Sequence, residues 1–212
     1  MIFESKISVK LAEYLLKIKA VKLEPNNPFT WSSGWKSPIY CDNRVTLSYP
    51  EIRKFIAQNL AEIVKKKFPE AQSLCGVATA GIAIGGLVAD NLELPYSYCR
   101  PKPKDHGMKN QLEGRIEAGS NVVVVEDLIS TGGSSLLVVN YLREAGYNVV
   151  GMISIFNYGF DVASKNFNQA NCPFFSLSNY EALLPQAVAQ NYIKQEDLPL
   201  LEAWRNDPAN WG

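Results

Sequence analysis

A single histidine, His106, stands among 212 residues, and the four cysteines (Cys41, Cys75, Cys99 and Cys172) lie far apart with no C-x-x-C pair. A zinc site needs clustered thiols and imidazoles, so the spacing argues against one; scattered core thiols in a reducing cytosol are the expected use. Neither sign of charge is in excess, since 21 Lys and Arg balance 21 Asp and Glu. No global field therefore recruits nucleic acid or an anionic membrane, and any anion site must be built locally. The N-terminus MIFESKISVK carries an early acid and lacks an apolar stretch of signal-peptide length, so secretion is not indicated and a cytoplasmic protein is expected. The uncharged, largely apolar run 74–89 is shorter than the roughly 20 residues of a bilayer span and is broken by Gly76, Gly81, Gly85 and Gly86. Internal repeats, low-complexity tracts and linkers are also missing. With 47% hydrophobic residues the chain is expected to fold as one domain over 1–212.

What is present is an order of periodicities. Leu11, Tyr14, Leu15 and Ile18 fall on one face of a helix over 5–20. Residues 25–48 lose that period and collect Pro, Asn, Ser, Gly and aromatics, the composition of short strands and loops; together with the first helix they form an expected hood over about 1–48. Pro50 opens a second helix with the stripe Ile52, Phe55, Ile56, Leu60 and Ile63. Strand then alternates with helix: 73–79 with 82–91, 96–100, 122–125 with 134–145, and 149–156 with 161–170, followed by an edge strand over 173–177 and one or two short terminal helices. This alternation predicts an α/β fold, a parallel sheet flanked by helices, with ligands beyond the carboxyl ends of the strands.

The segment VVVVEDLISTGGSS (122–135) answers several chemical requirements in order. A buried strand reaches two adjacent carboxylates, Glu126 and Asp127; Ser130, Thr131, Gly132, Gly133 and Ser134 follow, then an apolar helix. Glycines let backbone N–H groups converge, hydroxyls add donors, and the helix N-terminus adds positive partial charge, which together make a phosphate cradle. No lysine follows the glycines, so this is not the nucleoside-triphosphate loop. Two carboxylates would repel a polyphosphate but suit ribose hydroxyls and a developing positive charge at a sugar carbon. A phosphorylated ribose fits both halves. The plainer alternative is that the acids end a strand and cap a turn.

Residues 101–115 have almost no apolar side chains but carry Lys102, Lys104, His106, Lys109 and Arg115, with glycines at 107 and 114. This is the composition of a mobile lid that can close several cations over an anionic ligand and exclude water. In the hood, Lys22, Lys36 and Arg44 add cations and Phe29 an aromatic face, which makes them candidates for ligand binding.

EDLISTGGS resembles the phosphoribosyl diphosphate motif of type I phosphoribosyltransferases. FTWSSGWKSPIYCDNR (29–44), GVATAGIAIG (76–85) and RPKPKDHGMKNQLEG (100–114) narrow the resemblance to the orotate phosphoribosyltransferase family over nearly the whole chain. The resemblance implies transfer of ribosyl phosphate to orotate in pyrimidine synthesis. It implies that Arg100, Lys104, His106 and the run Glu126, Asp127, Leu128, Ile129, Ser130, Thr131, Gly132, Gly133 and Ser134 bind phosphoribosyl diphosphate, with Lys104, Asp127 and Glu126 catalytic. Ser130, Lys22 and Phe29 are implied for orotate; Arg44 is added because a guanidinium ends the hood motif. Mg2+ is implied as cofactor, held mainly through substrate, with no direct protein metal ligands predicted. A homodimer is implied too, the lid of each subunit reaching its neighbour's site. The sequence departs from some relatives at Pro101, where they carry lysine, and from many at Asn157, where they carry arginine. The alternatives are transfer to another base, or a non-catalytic regulator that binds phosphoribosyl diphosphate.

Overall fold

The computed structural model describes residues 1–31, 33–101 and 111–211. Most of the predicted lid, with Lys102, Lys104, His106 and Lys109, lies outside the described residues. The chain opens with α1 (Ser5–Lys17), β1 (Val21–Leu23), β2 (Phe29–Thr30), β3 (Lys36–Ser37) and β4 (Ile39–Cys41), then a 3-10 turn over Asn43–Ser48. Next come α2 (Pro50–Lys67), β5 (Ser73–Val77), α3 (Ala80–Leu92), β6 (Tyr96–Cys99), β7 (Leu112–Glu113), β8 (Asn121–Ile129) and α4 (Gly133–Glu144). β9 (Asn148–Asn157), α5 (Asp161–Gln169), β10 (Phe174–Asn179), α6 (Tyr180–Ala189) and α7 (Leu198–Asn206) complete it.

Six strands form the central sheet in the order β10-β9-β8-β5-β6-β7, all parallel except the short edge strand β7. The expected parallel α/β sheet is therefore present. Val122 to Val125 explain why a continuous apolar run is needed: all four are fully buried, and they alternate between two cores. Val122 and Val124 pack with Val138, Val139 and Leu142 of α4 and Phe167 of α5. Val123 and Val125 face the other core, with Leu15, Leu60, Ile84, Leu183 and Trp204 from α1, α2, α3, α6 and α7. Burial on both faces removes the polar alternation of a half-exposed strand.

One boundary differs from the sequence reading in a way that matters for the site. β8 does not stop at the carboxylates: it continues to Ile129, because Glu126 pairs with Ser154, Leu128 with Phe156 and Ile129 with Asn157 on β9. Hydrogen bonding to a long neighbour overrides the low strand preference of the acids. The expected short terminal helices are present as α6 and α7, and Trp204 of α7 is fully buried and bonded to the hood.

Strand order fixes where a ligand sits. From the adjacent pair β5 and β8, the chain winds outward in opposite directions, to β6 on one side and to β9 and β10 on the other. Such a reversal leaves a crevice outside the carboxyl ends of the two strands.

Candidate active site

The loops after β5 and β8 flank that crevice. After β5 the chain runs through Ala78 and Thr79, joined by a cis peptide, into α3. Here a Cβ on Gly81 would lie 2.5 Å from the Val125 carbonyl oxygen, so close approach of α3 to β8 accounts for that glycine without any ligand. After β8, Ser130 to Gly132 lead into α4, whose N-terminal flank is Gly132 at φ 83°. The loop is held from below, where Asn166 of α5 donates to the Thr131 carbonyl at 3.0 Å and Tyr158 N–H donates to the Ile129 carbonyl at 3.1 Å. A Cβ on Gly132 would come within 2.6 Å of the Phe167 ring and would occupy the left-handed region. Gly132→Ala is expected to destabilise the protein by about 1–3 kcal/mol; an unchanged melting temperature would show that the loop has slack this geometry denies.

Glu126 is buried, and each oxygen is held: Oε1 accepts from Asp127 N–H at 3.0 Å and Oε2 from the Ser135 hydroxyl at 2.9 Å. Burial, then the charge of Asp127, pushes its carboxyl well above the ordinary range. Burial pushes Asp127 up as well, opposed by a hydrogen bond from Glu126 that favours its charged form. The shared proton therefore belongs on Glu126, and the negative charge on Asp127. The hood is tied to the same point, because Asn43 Nδ2 donates to the Asp127 carbonyl at 2.8 Å.

Between hood and loop lies a cavity of about 630 Å³. Its hood wall is Thr30, Trp31, Ser33, Trp35, Tyr40 and Cys41; its other wall is Leu128, Ser130, Thr131 and Tyr158. Burial raises the Tyr158 hydroxyl well above its usual range, so it keeps its proton. Trp31 and Tyr158 have ring centroids 5.0 Å apart, and both pack against Trp204, at 5.7 and 5.8 Å. Flat aromatic walls beside hydroxyls and a phosphate-type loop fit a ring joined to a phosphorylated sugar.

Comparison with known proteins identifies the family. The family model for the phosphoribosyl transferase domain matches residues 47–183. Orotate phosphoribosyltransferase of Cytophaga hutchinsonii is 53% identical over 202 residues, covering 95% of this chain and 97% of that protein. The chain belongs to the orotate phosphoribosyltransferase family. The crystal structure of orotate phosphoribosyltransferase from Aeropyrum pernix superposes with a TM-score of 0.75 at 28% identity, covering 87% of this chain and 99% of that one. UMP synthase of Leishmania donovani gives a TM-score of 0.79 at 27% identity; 93% of this chain is covered, but the chain spans only 42% of the length of that protein.

Within this member of the orotate phosphoribosyltransferase family, the predicted residues divide by position. Leu128, Ser130 and Thr131 line the cavity, and Glu126, Asp127, Gly132, Gly133 and Ser134 flank them along one stretch of chain. Ile129 is fully buried in the sheet, which leaves its backbone as the part near the crevice. Arg100 follows β6; its Nε is buried without a hydrogen-bond partner among the described residues, and its backbone exchanges bonds with Gln111 at 2.8 and 2.9 Å. Phe29 reaches the cavity indirectly, its ring 5.7 Å from that of Tyr40, and exposed Lys22 pairs across β1–β4 with the same Tyr40. Arg44 does not line the cavity; it is exposed and paired with Asp42 at 2.6 Å. Lys104 and His106 lie outside the described residues. Sequence reasoning did not single out Asn43, Ser135, Tyr158 or Trp204. Asn43 and Ser135 sat inside quoted motifs, whereas Tyr158 and Trp204 had no local signal beyond being aromatic.

No helix among the described residues is long and apolar enough to cross a membrane.

Proposed function

We propose that the chain transfers the ribosyl phosphate group of 5-phospho-α-D-ribose 1-diphosphate to orotate, giving orotidine 5′-phosphate and diphosphate, a step of pyrimidine nucleotide synthesis in the cytoplasm. One observation carries the reading: Ser130 and Thr131 belong at once to the phosphate-type loop and to the wall of the aromatic cavity. A single substrate bearing phosphate at one end and meeting a planar ring at the other spans both.

In this reading residues 1–212 form one catalytic unit. Backbone N–H groups and hydroxyls from Ser130 to Ser134 hold the 5′-phosphate. Asp127, as the charged member of the acid pair, accepts hydrogen bonds from the ribose hydroxyls and faces the positive charge that develops as the diphosphate departs. Glu126 keeps Asp127 in place. Arg100 waits at the end of β6 for the diphosphate, joined by Lys104 and His106 from the lid of the partner subunit, so that a homodimer is the active form. Trp31, Tyr40 and Tyr158 hold the base in line for attack, and its ring nitrogen displaces diphosphate with inversion; positioning and electrostatics carry the rate without a protein nucleophile.

Among the described residues no three His, Cys, Asp or Glu side chains cluster as a metal cage. Among the described residues Asp127 offers the hard anionic oxygen at the crevice, a donor set that would suit magnesium only when the substrate's own oxygens complete it. Bound in that way, magnesium supplies charge neutralisation of the diphosphate.

Incubation with phosphoribosyl diphosphate, Mg2+ and a mixture of orotate, uracil, hypoxanthine and adenine should consume orotate alone and release diphosphate. Consumption of another base, or binding without turnover, would reject the proposal. Lys104→Ala should lower turnover at saturating substrate by about 10²-fold, or roughly 3 kcal/mol. Mixing that variant with Asp127→Asn subunits should restore activity, because one site of each mixed dimer then has an intact crevice and an intact lid; no recovery would place the lid over its own subunit.

A further inference from the structure

Orotate differs from uracil by a ring carboxylate, and a carboxylate leaving water needs a cation or several donors. The described side chains lining the cavity are aromatic, aliphatic, thiol or hydroxyl, and none is charged. Among the described residues of the hood, three cations are candidates to meet the carboxylate from the rim: Lys22, Lys36 and Arg44. Arg44 is already engaged, since its Nε and Nη2 donate to the two Asp42 carboxylate oxygens at 2.6 and 2.9 Å. Lys22 is exposed on β1, opposite Tyr40. Lys36 stands directly across the β2–β3 hairpin from Thr30, so the two side chains share a face. Its ammonium donates to the Thr30 hydroxyl at 2.8 Å, and Thr30 is part of the cavity wall. The Lys36 charge is thus one hydrogen bond from the cavity, and among the described residues Thr30 takes one of its three N–H groups. Its backbone is anchored as well: the Lys36 carbonyl accepts from Trp204 Nε1 at 3.1 Å, and the adjacent Ser37 is fully buried.

We propose that Lys36 receives the ring carboxylate of orotate at the cavity rim, and so makes the site select an anionic pyrimidine over neutral bases. Thr30 orients the ammonium, and the α7 contact fixes the strand that carries it. This inference rests on orotate being the base. Steady-state kinetics of Lys36→Met and Lys36→Arg, with inhibition by the neutral methyl ester of orotate as a control, separate the possibilities. Lys36→Met is expected to raise the KM for orotate about 10- to 100-fold, while the KM for phosphoribosyl diphosphate and inhibition by the ester stay at wild-type values. Lys36→Arg should recover most of the loss. An unchanged orotate KM in Lys36→Met overturns the proposal. So does an equal weakening of orotate and its ester, which would mark a deformed hood instead of a lost charge contact. Failure of the wild-type protein to consume orotate is a different result, which removes the underlying functional reading and this inference with it.

Discussion

Asp127→Asn is expected to lower kcat by about 10³-fold while leaving the fold intact, because the substitution removes the ionised carboxylate that the described residues bring to the crevice and keeps its shape. The companion change separates the roles of the two acids. Glu126 holds the shared proton, so Glu126→Gln preserves its neutral, hydrogen-bonded form, and the loss in kcat should be smaller, on the order of 10-fold. Its effect on stability should have the opposite sign. The Glu126 carboxyl is raised in the folded protein from an unperturbed value of 4.5 by burial and by Asp127. A raised pKa means that the folded state retains a proton the unfolded chain has released. Stability from this group is therefore complete below pH 4.5 and declines as pH climbs from there through the folded value. Thermal unfolding of wild type and Glu126→Gln should coincide near that pH, with the glutamine variant melting higher at pH 8. Curves that stay parallel from acid to base would show that Glu126 is ionised in the folded protein, and the assignment of charge to Asp127 would then fail.

The order of buried strand, acid pair, hydroxyl-rich loop and helix is local, so it is legible in a short window of sequence. The sheet and its helices were legible for a similar reason: four consecutive buried valines and stripes at helical spacing are properties of short windows. The end of β8 was not legible, because carboxylates ordinarily favour turns and only the register with β9 keeps Glu126 to Ile129 in the ladder. The hood was less legible still. Its closure depends on Asn43 meeting Asp127 across 84 positions and on Trp204 meeting Lys36 across 168, and neither contact leaves a periodic trace in sequence.

The second of those contacts carries the largest expected cost in stability. Trp204 is fully buried among Trp31, Tyr158, Phe160 and Tyr180, with ring centroids 5.3–5.8 Å away, and its indole N–H is spent on the Lys36 carbonyl. Trp204→Ala should therefore cost about 3–5 kcal/mol, a fall of about 10 °C in Tm for a chain of this size. The defect should not be confined to stability. Trp31 and Tyr158 are cavity walls, and without the indole they keep only each other, the Trp31 bond to the Ile39 carbonyl and the Tyr158 packing on Phe156 and Phe160; the KM for orotate should therefore rise while the KM for phosphoribosyl diphosphate, assigned by the proposed function to the β8–α4 loop, changes little. Trp204→Phe divides packing from hydrogen bonding: it refills most of the volume but leaves the Lys36 carbonyl unpaired, and should recover more than half of the lost Tm. If Trp204→Ala melts like wild type and binds orotate as well, the terminal helix is an appendage and the hood is held by its own strands. If instead both Michaelis constants rise together, the indole supports the sheet as a whole and has no particular part in shaping the base pocket.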